Sequence, residues 1–494
     1  MKIFKVYLKI IVQIIFVIIF FSTAFAKNSE KYNNADRVSD YFSGILLLNE
    51  YQYEESSKYL KKLNGLQEIH RGYPIKYLYS SINSGKINEA VKFSKKLEIQ
   101  NLASYESHLI IGIYYLKKNK FDLAREYFLK AKNGDSRLIL NKYVSESLYN
   151  WSGLRDSNYL KSSEKIDNSD KRFDNLKKIQ KVFLNCYFNN PNTKKSFNEL
   201  ITSSKVDFSR YNFFYALNTL DAGKLNEAKN IIETSTKLYP RNLLLNQLKI
   251  DLRKGKNTNK FNCKKENHVV AEILYITANA LSSQSIYSLS NFYLNLAKYL
   301  NEEFISFDTL IAENIYKINN LKKAKIIYYD LINKGEAYKW FATKQLARIL
   351  IEEDEKKAAV RLTEEAYNNF DEKDIYATFD YAEFLKNNEL FEKSISLYTY
   401  IINKVNKDHP LYSESTDGRG VSYERIGQWD KAEKDLLESL KINPDQAYVI
   451  NYLAYSWIEQ GINIEKSLNM LEKANKLKSN DPYIIDSLGW ALFK

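Results

Sequence analysis

The chain is poor in the residues that make reactive centres. Its 494 residues include two cysteines, four histidines and six prolines. So few cysteines exclude a disulfide-framed fold and a thiolate-held metal cluster. Cys186 and Cys263 lie 77 residues apart and read as two buried free thiols. His70, His108, His268 and His409 are scattered, and no H-E-x-x-H spacing occurs. His268 follows Cys263 by five residues, but no further ligand pair accompanies them. No metal, cofactor or catalytic residue is therefore expected. G-x-S-x-G elbows, phosphate-binding Walker loops and Cys–His nucleophile signatures are also missing. With only 15 glycines and six prolines, the chain suits helices joined by short turns.

Aromatic residues and lysine are abundant. The 39 tyrosines and 26 phenylalanines exceed what buried seams require, so some should line a surface. The formal charge is +13, with 73 basic and 60 acidic residues. The lysines are scattered among glutamates and no arginine-rich stripe is visible, which argues against nucleic acid. The excess is read as compositional, from an AT-rich genome. A membrane or polysaccharide surface stays open as a partner.

The N-terminus reads as an address. Lys2, Lys5 and Lys9 precede an apolar run from Ile10 to Phe21, and Ala24-Phe25-Ala26 supplies small residues for cleavage. This is the three-part pattern of a secretory signal peptide over residues 1–26, with the mature chain starting at Lys27. The alternative is an uncleaved anchor, for which the apolar run is short. Export places the protein outside the cytoplasmic membrane, in the periplasm of a Gram-negative bacterium.

Small residues recur with a fixed step. Ser56, Ala90 and Ala124 are spaced by 34, as are Ser290, Ala324 and Ala358. Ala216, Gly223, Ala228 and Pro240 keep the same phase, and Ala382 and Ser394 mark a further unit. The clearest stretch is Ser413–Gln446, with Gly420, Tyr423, Gly427, Ala432, Leu436, Leu440 and Pro444. A second runs from Ala447 through Leu453-Ala454, Trp457 and Gly461, and a third opens at Pro482 with Leu488-Gly489.

These residues resemble the tetratricopeptide repeat, a helix pair of ~34 residues. Counted from Ser413, Gly420 stands at position 8, Tyr423 at 11, Ala432 at 20 and Pro444 at 32. The resemblance implies an all-α fold, a right-handed superhelical solenoid of antiparallel helix pairs, in about a dozen units. Two polar stretches, 161–171 and 253–268, read as loops between sub-solenoids. Three segments follow: 27–155, 170–256 and 269–494. The chain stops inside the first helix of its last unit. That is expected to leave Ile484, Leu488, Trp490 and Leu492 exposed, as in a fragment.

The resemblance also implies a binding groove lined by first-helix positions 2, 5, 6, 9, 12 and 13. Asp380 and Glu383 fall on it, and the expected partner-binding residues are Tyr376, Phe379, Tyr448, Asn451, Tyr452, Tyr455, Tyr483 and Trp490. The second candidate surface is N-terminal, around Tyr41, Phe42 and Tyr79. Asp417 and Val421 replace the Lys and Asn of the family's carboxylate clamp, which argues against chaperone-tail binding. The expected function is a non-enzymatic periplasmic scaffold for a protein or peptide, serving envelope assembly. The alternatives are an accessory domain of an envelope enzyme or polysaccharide-export system, and polyanion binding.

Overall fold

The computed structural model describes residues 35–134, 138–203, 206–256, 260–370 and 373–494. The expected signal peptide lies outside the described residues. Among them are 26 α-helices and no strand. Twenty-four helices form consecutive pairs, from Ala35–Asn49 with Tyr53–Lys62 to Ala447–Glu459 with Ile464–Leu477. Leu243–Arg253 and Pro482–Phe493 have no second helix of their own and pack on the preceding pair. No helix among the described residues is long and apolar enough to cross a membrane.

One seam repeats through the pairs. Ser56, Ala90, Ala124, Ala228, Ser290, Ala324, Ala359, Ser394, Ala432 and Ser467 are all 0% exposed. Each stands on a second helix where the first helix crosses closely. Opposite them, at position 8, a Cβ on Gly44, Gly112 or Gly420 would meet Leu60, Phe128 or Leu436 at 2.7, 2.5 and 3.1 Å. Position 24 thus fills the space that position 8 leaves. Where serine replaces alanine its hydroxyl donates across the seam, from Ser56 to the Gly44 carbonyl (2.8 Å) and from Ser290 to that of Ala278 (2.7 Å). A buried hydroxyl is thereby satisfied without widening the crossing.

The turn inside eleven of the twelve pairs carries a left-handed residue; the connection from Ile139–Ser152 to Tyr159–Asp167 does not. Gly85, Gly223, Gly427 and Gly461 hold φ between 72 and 79°. Asn119, Ser285, Asn319, Asp354, Glu389 and Asn463 take φ between 50 and 67° at or near equivalent turns. Asp354 follows Asn319 by 35 residues, one more than the expected step. This explains a correction: Ala358 is exposed, and the seam residue is Ala359. Helix Glu336–Glu352 runs to 17 residues and moves the register by one.

Two further expectations are corrected. Most of the polar stretch 161–171 is helix, Tyr159–Asp167, which buries Ser162 and Ile166 on one face. Cys186 and Cys263 are not free thiols; they form a disulfide with Cα atoms 6.1 Å apart, inside the usual range. Cys186 lies in helix Asp174–Tyr187, which packs against helix Glu266–Ser283, and Cys263 precedes that helix by three residues. The sulfurs sit among Phe183, Phe197, Phe214 and Phe261.

The contacts divide the chain into two compact units, Met1–Ile327 and Tyr328–Lys494. The division falls within the segment expected to span 269–494. In the second unit Ile484 is buried with Ile450 and Ala474, contrary to the expected exposure, while Leu492 is 68% exposed.

Glu389 has a β-carbon at a turn where φ is 67°, and its ion pair with Lys356 is exposed. Replacing it by glycine should stabilise the second unit by about 0.5–1 kcal/mol in denaturant unfolding. A loss of stability would mean that the turn is not left-handed.

Candidate functional site

A first helix shows one side to its own partner and another side away from it. In the first unit that outward side is already filled. Helix Tyr287–Leu300 packs on helices Tyr73–Asn83 and Tyr105–Lys117, and helix Glu266–Ser283 on Ile139–Ser152 and Asp174–Tyr187. Phe292 stacks on Tyr79 with ring centroids 4.7 Å apart. The Tyr293 and Tyr105 hydroxyls are 3.1 Å apart, and the Tyr293 hydroxyl donates to Asn141 (3.1 Å). Asn83 Nδ2 donates to the Ser288 carbonyl (3.1 Å). Ile110, Ile113 and Leu116 of the covered side are 0% exposed, as are Phe292, Tyr293 and Leu296 of the covering helix.

Buried polar contacts fix this arrangement. Arg210 forks onto Glu272 at 2.7 and 2.8 Å, donates to Ser306 (2.7 Å) and lies 3.8 Å from the Tyr275 ring centre. Burial pushes the Glu272 carboxyl up, and Arg210 opposes that shift. Glu266, 3% exposed, accepts from Arg155 (2.9 Å) and the Tyr187 hydroxyl (2.8 Å). Truncating one partner of such a pair would strand a buried charge. Tyr79 is therefore part of an internal contact, not of a free N-terminal surface. Phe42 is exposed, and Tyr41 contacts His70. The sequence did hold a signal here: helix Tyr287–Leu300 is apolar around most of its circumference, as a helix covered on several sides must be.

In the second unit the outward side is not covered in this way. Tyr448, Tyr455 and Tyr483 are 53, 39 and 76% exposed. Tyr376 is half-buried against the cluster of Phe379, Ala382, Tyr398, Ile401 and Leu411. Phe379 corrects its expectation, because it belongs to that cluster, 8% exposed with its ring 6.1 Å from Tyr398. Its position points between the helices of its pair and the next. Tyr452 and Trp490 are half-buried too, and both use their polar ends within the fold. The Tyr452 hydroxyl donates to Glu424 (2.6 Å), and Trp490 Nε1 to Glu459 (2.5 Å). Asn451 is half-buried and its Oδ1 has no hydrogen-bond partner.

Sequence reasoning placed Asp380 and Glu383 on this side but missed that aromatic donors from neighbouring helices bond to them. Trp340 Nε1 and Lys344 both donate to Asp380, at 3.4 and 2.5 Å. The Tyr398 hydroxyl donates to Glu383, which also pairs with Lys386 at 2.7 Å. Tyr448 donates to Asp481 at 2.8 Å. Trp340, Tyr452 and Trp490 thus each reach an acid on a neighbouring first helix, while Tyr398 reaches from a second helix to the first helix of its own pair. The signal was present as aromatic and acidic residues sharing positions 2 to 13 of successive first helices. Arg419 forks onto Asp435 at 2.7 and 2.9 Å and ties a first helix to its own partner.

Asp417 stands apart. It is half-buried, and burial raises its carboxyl from 3.8 to about 7, Glu383 and Glu414 adding to the rise and Lys386 opposing it. Tyr398 lies close enough to feel its charge. Among the described residues no group of three or more His, Cys, Asp or Glu could hold a metal ion.

The repeating seam, the left-handed turn and the residue frame define the class. The helix pairs are similar to tetratricopeptide repeats, and the fold is an all-α solenoid of antiparallel helix pairs. No family model matches the chain. The TPR repeat-containing protein PA4667 of Pseudomonas aeruginosa is 29% identical over 113 residues, 23% of this chain and 18% of that protein. The match therefore spans less than a fifth of that relative's length. Among solved structures, yeast Tom70 is 16% identical with a TM-score of 0.34, covering 94% of this chain and 96% of that one. The APC/C hetero-tetramer Cut9-Hcn1 is 13% identical with a TM-score of 0.34, covering 94 and 98%. A tetratricopeptide repeat protein from Parabacteroides merdae is 14% identical with a TM-score of 0.36, covering 57 and 98%. At these scores nothing about function is carried over.

The raised Asp417 carboxyl has a consequence for stability. Between pH 4 and 7 the folded chain holds a proton there that the unfolded chain releases. Stability contributed at this site therefore falls as pH rises through that window. Asp417→Asn removes the dependence and should raise the stability of the second unit by roughly 2 kcal/mol at pH 8, with little change at pH 4. Equal effects of the variant at both pH values in urea melts would contradict the assignment.

Proposed function

We propose that this chain is an exported, non-enzymatic scaffold that binds a protein segment on the first-helix side of its C-terminal unit. The observation that carries this reading is the contrast between the two units. The outward side of the first unit is filled by residues 266–300 of the same chain, whereas Tyr448, Tyr455 and Tyr483 of the second stay exposed. Exposed tyrosines give a partner large contact area at low entropic cost. Aromatic rings and acids placed on consecutive helices, at one face, suit a segment lying across several repeats rather than a small molecule.

Two observations support export. One is the lysine-led apolar start ending in Ala24-Phe25-Ala26. The other is the Cys186–Cys263 disulfide, which persists in oxidising compartments and is rare in the cytosol. A periplasmic role in assembling envelope machinery agrees with both. Acids outnumber cations on the outward side of the second unit's last four first helices, with Asp380, Glu383, Asp417, Glu424, Glu459 and Asp486 against Lys386 and Arg425, which does not suit a polyanion.

Tyr455 and Tyr483 contribute no side-chain hydrogen bond to the fold among those described, so they can be removed with little structural cost. In crosslinked capture from the periplasm, Tyr455→Ala with Tyr483→Ala should weaken retention of the partner by ~2 kcal/mol or more, with helicity unchanged. Phe42→Ala, on an exposed N-terminal position, should leave retention intact. Unchanged capture by the folded double variant would move the site elsewhere.

A further inference from the structure

Resting on that reading, we infer that the segment held on the C-terminal unit is positively charged, its Lys or Arg side chains meeting acids and tyrosine rings on helices Ile375–Asn387, Pro410–Arg425, Ala447–Glu459 and Pro482–Phe493. Charge complementarity carries the inference. Lys386 is paired with Glu383 at 2.7 Å and Arg425 with Glu424 at 3.5 Å. Asp417, Glu459 and Asp486, on the same side, have no ion pair among those described. Glu459 takes only the neutral Trp490 donor. These two cations are thus neutralised locally, and Asp417, Glu459 and Asp486 leave an acidic excess, within a chain whose formal charge is +13. A face opposite in sign to the rest of its protein favours cationic segments and excludes anionic ones.

The tyrosines make a second, independent argument. Exposed phenol rings attract ammonium and guanidinium groups through their faces. The fold already uses this chemistry here, for Lys478 lies 3.9 Å from the centre of the Tyr448 ring. Tyr455 and Tyr483 offer the same surface to a partner.

Asp417 is the point at which a cation gains most. Burial and the negative neighbours Glu383 and Glu414 disfavour its ionised form, Lys386 opposes them, and the Tyr398 hydroxyl is turned to Glu383 instead. An arriving ammonium or guanidinium supplies the compensation that solvent cannot. Binding therefore ionises Asp417, and affinity for a cationic segment rises with pH through about 7.

The test uses the mature full-length chain and two synthetic peptides, N-acetylated and C-amidated. One is a 15-residue amphipathic sequence (about one helix of the chain in length) of Lys, Leu and Ala; the other has every Lys replaced by Glu. The Lys peptide should bind at low salt, weaken as salt is raised, and bind at least ~5-fold more tightly at pH 8 than at pH 5.5. Asp417→Asn should lower its affinity at least ~5-fold at pH 8 and much less at pH 5.5. Glu164→Gln, on a helix of the other unit, should change nothing, and circular dichroism should show each variant folded. Equal or tighter binding of the Glu peptide overturns the inference. So does an unchanged affinity in Asp417→Asn, or no binding of the Lys peptide. A chain that fails here yet loses its natural partner on Tyr455 and Tyr483 substitution binds an uncharged or acidic segment on the same face. A chain that keeps its partner there has its site elsewhere.

Discussion

Ten of the twelve helix pairs in this structure depend on how closely two helices can cross. The crossing is set by a small residue on the second helix, and ten such residues from Ser56 to Ser467 have no exposed surface. A larger side chain there would force the backbones apart, and interiors packed at crystal density have no room to absorb it. The rest of the repeat follows from that contact. Where position 8 is glycine, the residue at position 24 enters the space it leaves, as Gly112 admits Phe128. The turn between helices must reverse the chain within a few residues, which puts one residue in the left-handed region. Helices joined and crossed in this way bury one side each and leave another side to be covered or used.

The two units resolve that remaining side differently. In the first unit the chain returns on itself. Helices Glu266–Ser283 and Tyr287–Leu300 are a repeat like the others, with Ser290 in the seam, yet their outer faces also cover four earlier first helices. The buried Arg210–Glu272 pair and the Cys186–Cys263 disulfide hold the returning segment at its start. A disulfide closing so long a loop restricts the unfolded chain, an effect worth about 4 kcal/mol on chain-entropy grounds. In the second unit the aromatic donors Trp340, Tyr452 and Trp490 are each bonded to an acid on an adjacent first helix. Those bonds make a firm wall, and they leave the remaining tyrosines and acids facing outward.

The repeat itself was legible because its cause is local. Small residues every 34 positions and glycine at turns are imposed by one contact and appear directly in the sequence. What could not be read was whatever depends on residues far apart. Ala358 was chosen over Ala359 because a lengthened helix shifts the step by one without any mark in composition. Turns at Asn319 and Glu389 escaped notice because their residue types are common elsewhere too. Spacing alone left Cys186 and Cys263 unpaired, since only the packing of helix Glu266–Ser283 against Asp174–Tyr187 brings them together. Of the expected partner-binding residues, Tyr455 and Tyr483 are open, and Tyr448 is exposed but bonded to Asp481 and covered by Lys478. Phe379 is buried, and Tyr452 and Trp490 are committed to neighbouring acids. The position within a repeat gives a direction for a side chain, but the neighbouring repeat decides whether it is covered.

The central claim is that the first unit is closed by its own chain while the second is open. Hydrogen exchange of the intact protein tests it most directly, followed peptide by peptide. Residues 287–300 should exchange as slowly as residues 105–117, because each covers the other and both open only when the unit unfolds. Rapid exchange across 287–300, with residues 105–117 still protected by their own partner helix, would show that the returning segment does not fill that side, and would contradict the account.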